Sequence, residues 1–402
     1  MKENVYFCMQ ENPLWHAHRF RHYVMSVQRL HIAPGILSWI IERRGLDVNE
    51  YCKKNEKFQK WLNGELDPTF RQAEEFAMSN YVPMGYLYLE KPPVETMPIP
   101  FFRSKKRKLE NLNVLDTVRI LGERQAWLSG YLRGENLGGL TFVGSVNTSM
   151  GIGTAASMMH ELLDLPQDWA FSLPTIDKAL KVMTDCLEGI GCIVVFSSTV
   201  GFNNSRSIEV NDCRGFCLVD KDAPFIFINS KDAKQAQLFT LAHEFAHILL
   251  GYSAGMGADE SMAMSAKEAF CDRLAAVFLL PADLFMEMWE KTGGAIDTLV
   301  RKFKVSRWVV ARRANELRLM SDEIYWSIVN KWKSEPLAEQ KRKSGPVAFA
   351  IRAVRNNGRV FLVHLNNALS NQKIMHRDAY RLTGMKGDTF DSVVKSNYFL
   401  GV

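Results

Sequence analysis

Phe239-Thr240-Leu241-Ala242-His243-Glu244-Phe245-Ala246-His247-Ile248-Leu249-Leu250-Gly251 is the stretch on which the reading of this 402-residue chain turns. Residues i and i+4 of an α-helix stand on one face about one turn apart, so His243 and His247 can reach a single metal ion. Glu244 is rotated by roughly 100° from His243. That sets its carboxylate beside the metal rather than on it, where it can move a proton. Phe239, Ala242, Phe245, Ala246, Leu249 and Leu250 make most of the helix apolar, as burial requires, and Gly251 is a natural stop. Paired neutral imidazoles suit zinc, so the pattern predicts one Zn2+ held in each chain.

A catalytic zinc needs a third protein ligand and an open position. The segment Glu268-Ala-Phe-Cys-Asp272-Arg-Leu-Ala-Ala-Val-Phe-Leu-Leu280-Pro281 supplies the candidate. Ala269, Leu274, Ala275, Phe278 and Leu279 form a helical apolar stripe that Pro281 ends. Glu268 opens this second helix and Asp272 follows one turn on, on the same face. Glu268 is read as the ligand and Asp272 as an acceptor that orients a ring N–H, with Asp272 the substitute ligand. A glycine-bearing loop of about twenty residues lets the second helix fold back on the first.

Three stretches together resemble the ImmA/IrrE family of metallo-endopeptidases. They are Pro224-Phe-Ile-Phe-Ile-Asn229-Ser230, Phe239 to His247, and Glu268 to Phe278-Leu-Leu-Pro281. The resemblance is strong over residues 165 to 290 and moderate over 30 to 103. It implies a soluble bacterial enzyme with a zincin-like fold, often fused to a helix-turn-helix. His243, His247 and Glu268 are then the zinc ligands and Glu244 the general base. The family commonly has Asn where this chain has Asp272. The substrate it implies is a repressor or antitoxin, cut in a stress or mobile-element response.

Composition agrees with a folded enzyme of two or three domains: 47% of residues are hydrophobic. The N-terminus lacks a signal peptide's uninterrupted apolar core, and no run of about eighteen apolar residues occurs, so a cytoplasmic chain without a membrane span is expected. Seven scattered cysteines read as reduced thiols. The net charge of +6 is unevenly spread. Residues 151–300 carry 10 basic and 20 acidic side chains, whereas residues 301–402 carry 20 and 8. Basic flanks admit a nucleic-acid contact and an acidic centre admits a basic polypeptide, although solvated surface charge explains either equally well.

The expected organisation is α+β. An N-terminal extension (1–30) with His16, His18 and His22 precedes a degenerate helix-turn-helix-like module (31–103). Here Pro34 starts a helix, and Thr69 with Gln72 forms a capping box. The stretch between Leu46 and Trp61 is too short for a full reader helix, so DNA contact and a partner-docking remnant both stand open. After a proline-rich linker and the basic run Lys105–Lys108, a helical connector (104–165) contains one amphipathic helix over 109–133. The glycine-rich stretch from Gly138 to Gly153 lacks the lysine-serine pair of a phosphate loop.

Three β-runs (192–196, 215–219 and 224–228) lead into the zinc helices of a metallopeptidase domain (166–290). Phe225, Ile226, Phe227, Ile228 and Asn229 are expected to form the edge strand that takes an extended protein substrate by β-augmentation. A second helix-turn-helix-like segment (291–345) has Ser306 as N-cap and Arg307, Arg312 and Arg313 as nucleic-acid contacts or as part of a buttress. A basic helical region (346–402) closes the chain. The oligomeric state is not readable.

Overall fold

The structure, a computed structural model, describes residues 28–102, 112–256, 266–334 and 348–396. His16, His18, His22 and the Lys105–Lys108 run lie outside the described residues. The chain divides into two compact units between Val94 and Glu95, inside the proline-rich linker rather than after Arg103.

The first unit holds helices α1 (Pro34–Arg43), α2 (Val48–Lys54), α3 (Glu56–Leu62) and α4 (Phe70–Ser79). Ile36, Leu37, Ile40 and Ile41 line one face of α1 and are fully buried against Phe58, Trp61 and Phe76. The expected capping box is present: Gln72 N–H donates to Thr69 Oγ1 at 3.2 Å, and Thr69 N–H donates to Gln72 Oε1 at 2.9 Å. Between Leu46 and Trp61 the chain forms two seven-residue helices with Asn55 between them. Lys53 and Lys60 pair with Glu50 and Glu56 within their own helices. Neither helix has the length of a DNA reader.

A short 3-10 turn, Met84–Tyr88, completes the first unit, and the second contains the remaining α-helices and strands. In chain order these begin with β1 (Phe101–Phe102), α5 (Leu112–Gly134), α6 (Ile152–Leu162), α7 (Ile176–Gly189), β2 (Ile193–Ser197), β3 (Thr199–Val200), β4 (Asn203–Ser207), β5 (Gly215–Leu218) and β6 (Phe225–Asn229). Next come α8 (Lys234–Leu250), β7 (Ala254–Met256), α9 (Ala266–Leu279), α10 (Ala282–Thr292), α11 (Ile296–Phe303), α12 (Arg307–Glu316) and α13 (Asp322–Ser334). The C-terminal helices are α14 (Phe349–Asn357), α15 (Arg359–Ser370), α16 (His376–Thr383) and α17 (Gly387–Val394). Five strands make one mixed sheet in the order β1-β7-β5-β6-β2, while β3 and β4 form a separate hairpin.

All three β-runs read from the sequence are strands of this sheet, but the edge assignment is wrong. β6 pairs with β2 in parallel on one side and with β5 antiparallel on the other, so its backbone has no side left for a substrate. Phe225 to Asn229 are all buried. The apolar run without polar alternation reports a strand covered on both faces, not one at the edge. Asn229 is a structural clasp: its Nδ2 donates to Ile208 O and Cys213 O at 3.1 and 2.8 Å.

Alternation along the strands separates two cores. Val194, Phe196, Cys217, Ile226 and Ile228 face α6 to α12. Ile193, Val195, Phe216, Phe225 and Phe227 face α5 and α14 to α17. The segments expected at 104–165, 291–345 and 346–402 therefore share these two cores with residues 166–290. α6, α11 and α12 complete the first core, and α5 with the last four helices completes the second. Gly358 (φ +83°) turns the chain between α14 and α15 against β2, where an added Cβ would come within 2.6 Å of Ile193 Cγ2.

Candidate metal centre

α8 is buried along nearly its whole length, and its apolar residues explain why. Leu238, Leu241, Phe245, Ile248 and Leu249 are at most 1% exposed, each contributing about 1.5–3 kcal/mol of burial. At its C-terminal end Gly251 adopts φ +69°, while Gly144 N–H and Val146 N–H donate to the carbonyls of Ile248 and Leu249. The glycine-rich stretch before α6 thus closes the end of this helix, which replaces any reading of it as a phosphate loop.

On α8, His243 Nε2 and His247 Nε2 lie 3.1 Å apart. α9 runs alongside and brings Glu268 to both: its Oε1 is 3.0 Å from His247 Nε2 and its Oε2 3.4 Å from His243 Nε2. The three side chains are almost completely buried, and one ligand atom from each fits within a 4.8 Å cluster. Asp272, one turn after Glu268, places Oδ1 2.9 Å from His243 Nδ1, the ring nitrogen turned away from the cluster. That is the position of an acceptor that fixes a ligand's orientation. Two imidazoles and a carboxylate converging in an apolar interior fit a divalent transition metal, and the set matches the donors of a catalytic zinc site.

The electrostatics follow from the same packing. Burial works against a charged His243, but the hydrogen bonds to Asp272 and Glu268 and the charges of Asp272 and Glu244 carry it up to about 10. For His247, burial outweighs Glu268 and the pKa falls. Burial would raise Glu268, yet the two imidazoles hold it well below the usual carboxylate range. Glu244 differs: burial, reinforced by Glu268 and Asp272, pushes it up to about 8 against the pull of His243. Its carboxylate oxygens meet no N–H or O–H donor among the described residues; only the weakly donating Cys217 thiol is hydrogen-bonded to it. A buried carboxylate left so costs several kcal/mol unless something polar meets it.

Residues 193–315 match the family model described as the IrrE N-terminal-like domain, a peptidase family. The match runs from β2 to α12 and contains every member of the cluster. The matched stretch also includes α11 and nearly all of α12. Residues 357–396 match a domain of unknown function (DUF8813). No curated protein matches the chain. A solved structure of a Mycobacterium tuberculosis transcriptional regulator is similar at 14% identity and a TM-score of 0.24; the alignment covers 41% of this chain and 52% of that one.

Gly215 on β5 is a site residue that motif reading missed. An added Cβ there would lie 2.5 Å from Thr240 Cγ2, 2.8 Å from Phe227 O and 3.4 Å from Glu244 Oε1. Only the absence of a side chain lets the sheet approach α8 at the level of Glu244. Gly215→Ala is expected to destabilise the protein by about 1–3 kcal/mol through overpacking. It should also shift Glu244, as urea unfolding and the metal-loaded protein's cleavage rate would reveal; unchanged values for both would contradict this role. The signal in the sequence was a glycine within a strand pattern, which marks close backbone approach.

The three arginines assigned to nucleic acid are engaged with the domain itself. Arg313 is buried, with Nε donating to Leu280 O at 3.1 Å and a guanidinium nitrogen 3.4 Å from Glu316 Oε2, so it has no surface from which to reach a phosphate. Arg312 reaches back toward the metal centre, 3.8 Å from Asp272 Oδ2 and 3.2 Å from Glu316 Oε1. Arg307 stacks its guanidinium over Trp332 at 4.7 Å. Ser306 does cap α12, accepting from Val309 N–H. Arg313→Ala is therefore expected to lower stability by about 1.5–3 kcal/mol, the scale of a lost charge-assisted hydrogen bond. Equilibrium denaturation measures it, and a loss under 0.5 kcal/mol would contradict the buttress role.

Cys213 and Cys217, the closest pair, are buried free thiols whose pKa burial raises far above normal; neither joins the cluster. No helix among the described residues is long and apolar enough to cross a membrane.

Proposed function

We propose that this protein is a zinc-dependent endopeptidase that cuts one cytoplasmic protein, a transcriptional repressor or an antitoxin, as a regulatory event in a stress or mobile-element response. The observation that carries the reading is Glu244: a buried carboxylate met by no N–H or O–H donor among the described residues and only by the Cys217 thiol, beside a three-ligand cluster but not part of it. A metal site that only senses or braces has no use for such a group.

His243, His247 and Glu268 would hold the zinc. When bound, zinc polarises the scissile carbonyl and lowers the pKa of water toward neutrality. Glu244 takes the proton of the attacking water and returns it to the leaving amine. Asp272 keeps the His243 ring turned with Nε2 toward the cluster, and Arg312 balances the charge of Asp272 from the other side. The choice of a repressor or antitoxin rests on the resemblance to ImmA/IrrE peptidases. The alternative, a DNA-binding regulator with a sensory metal, leaves Glu244 idle, and one of the arginines it would use, Arg313, is buried against Leu280 and Glu316.

The test is a comparison of protein N-termini in host cells expressing the wild type or Glu244→Gln. New termini at one or a few sites, present only with the wild type, are expected. Identical sets of termini from the two strains would sink the proposal.

A further inference from the structure

A cavity of about 640 Å3 opens away from the metal centre, between α7, β2, the first residue of α8 and the helices α14 and α15. Its size lies within the range of small-molecule sites, about 300–1,000 Å3. Leu180, Val194, Phe196, Ile351 and Val354 give it an apolar lining. The remaining walls are charged, and the charges do not cancel. Lys181 pairs with Asp185 at 2.7 Å, Lys234 with Asp177 at 3.4 Å, and Arg359 with Glu188 at 2.9 Å. Each acid lining the cavity thus has its own cation. Arg355 is left over.

The guanidinium of Arg355 lies over the Phe196 ring, 4.8 Å from its centroid, and has no carboxylate within 4.0 Å among the described residues. Burial works against its charge and Asp177 supports it from farther off. A cation so placed is costly unless an anion or water meets it. Arginine with an aromatic partner is also a recurrent means of holding a planar anion.

We propose that this cavity binds a small organic anion with a flat apolar body. Its carboxylate or phosphate sits on Arg355, and its body lies against Leu180, Val194, Phe196 and Ile351. Phe196 and Lys234 belong to the region matching the IrrE N-terminal-like domain, and Arg359 to the region matching DUF8813. The ligand therefore bridges the sheet and the C-terminal helices, and it touches the first turn of the helix that carries His243 and His247. This site does not depend on the peptidase reading: the binding measurement below needs no catalytic activity.

The experiment is a fluorescence titration of the full-length protein with 8-anilinonaphthalene-1-sulfonate, a flat apolar anion, followed by competition. Adenosine monophosphate serves as the phosphate arm and 2-naphthoate as the carboxylate arm. One saturable site per chain is expected, displaced by at least one arm, which identifies the head group. Arg355→Met keeps the stem over Phe196 but removes the charge, and should weaken binding at least about tenfold, the scale of one charge-assisted hydrogen bond. Thr184→Trp, which fills the cavity from α7, should abolish binding without altering far-UV circular dichroism, and it stands alone if Arg355→Met does not fold. Lys291→Met, on the distant α10, should leave the affinity unchanged. Equal affinity for the wild type and Thr184→Trp, or displacement by neither anion, would overturn the proposal.

Discussion

Glu244→Gln is expected to bind metal like the wild type and to lose peptide cleavage by about 10²- to 10⁴-fold, the usual contribution of a positioned general base. The substitution is nearly isosteric, so the packing of α8 against β5 and Gly215 is retained. What disappears is the group that carries the proton. Stability should not fall, and a modest rise is the natural outcome. The wild-type carboxyl is buried with only the Cys217 thiol on it and is raised to about 8, so a neutral amide relieves the cost of burying a charge there. Single-turnover cleavage of the identified substrate, with metal content measured on the same sample, separates the possibilities. An undiminished rate with metal bound would exclude Glu244 as the base. Parallel loss of metal and activity would show that the carboxylate is a ligand instead.

By elemental analysis the wild type is expected to carry one zinc per chain and the double variant His243→Ala/His247→Ala essentially no metal. The two substitutions remove two of three donors and also strand Glu268, whose charge the imidazoles hold in place at 3.0 and 3.4 Å. Breaking one side of a buried ion pair costs about 3–5 kcal/mol, so the melting temperature should drop even without metal. Chelation of the wild-type protein should lower it as well and added zinc should restore it. A metal present at about a hundred times its Kd stabilises the folded state by about 2.7 kcal/mol. The single variant Glu268→Gln discriminates further, because it keeps the volume and both imidazoles while weakening the third donor. Stoichiometric zinc surviving in the double histidine variant would refute the assignment of the centre.

The metal cluster was legible in the sequence because its ligands obey short-range rules. The i, i+4 spacing sets His243 and His247 on one face of any helix, and Glu268 and Asp272 sit one turn apart on the next helix for the same reason. Caps were legible too: Thr69 with Gln72, and Ser306 before α12, act through backbone groups within three residues. The strands at 193, 215 and 225 could be read from β-rich apolar runs.

What the sequence could not supply was pairing and enclosure. An apolar run such as Phe225 to Ile228 reports two covered faces, but not which strands flank it, and here two neighbours occupy both of its hydrogen-bonding sides. Two-residue strands such as β1 carry no periodicity at all. Arg313 reads as an exposed basic residue on a helix-turn-helix; only the packing of α12 against Leu280 buries it. Local rules determined which residues can meet a metal, since the helix alone brings them together. The tertiary structure decided that Glu244 is buried with only the Cys217 thiol on it, that Gly215 must be bare, and that Arg355 lines a cavity whose acids pair with other cations. Those facts depend on contacts between separate elements of the chain, whose meeting is set by the summed burial of two cores rather than by any single spacing.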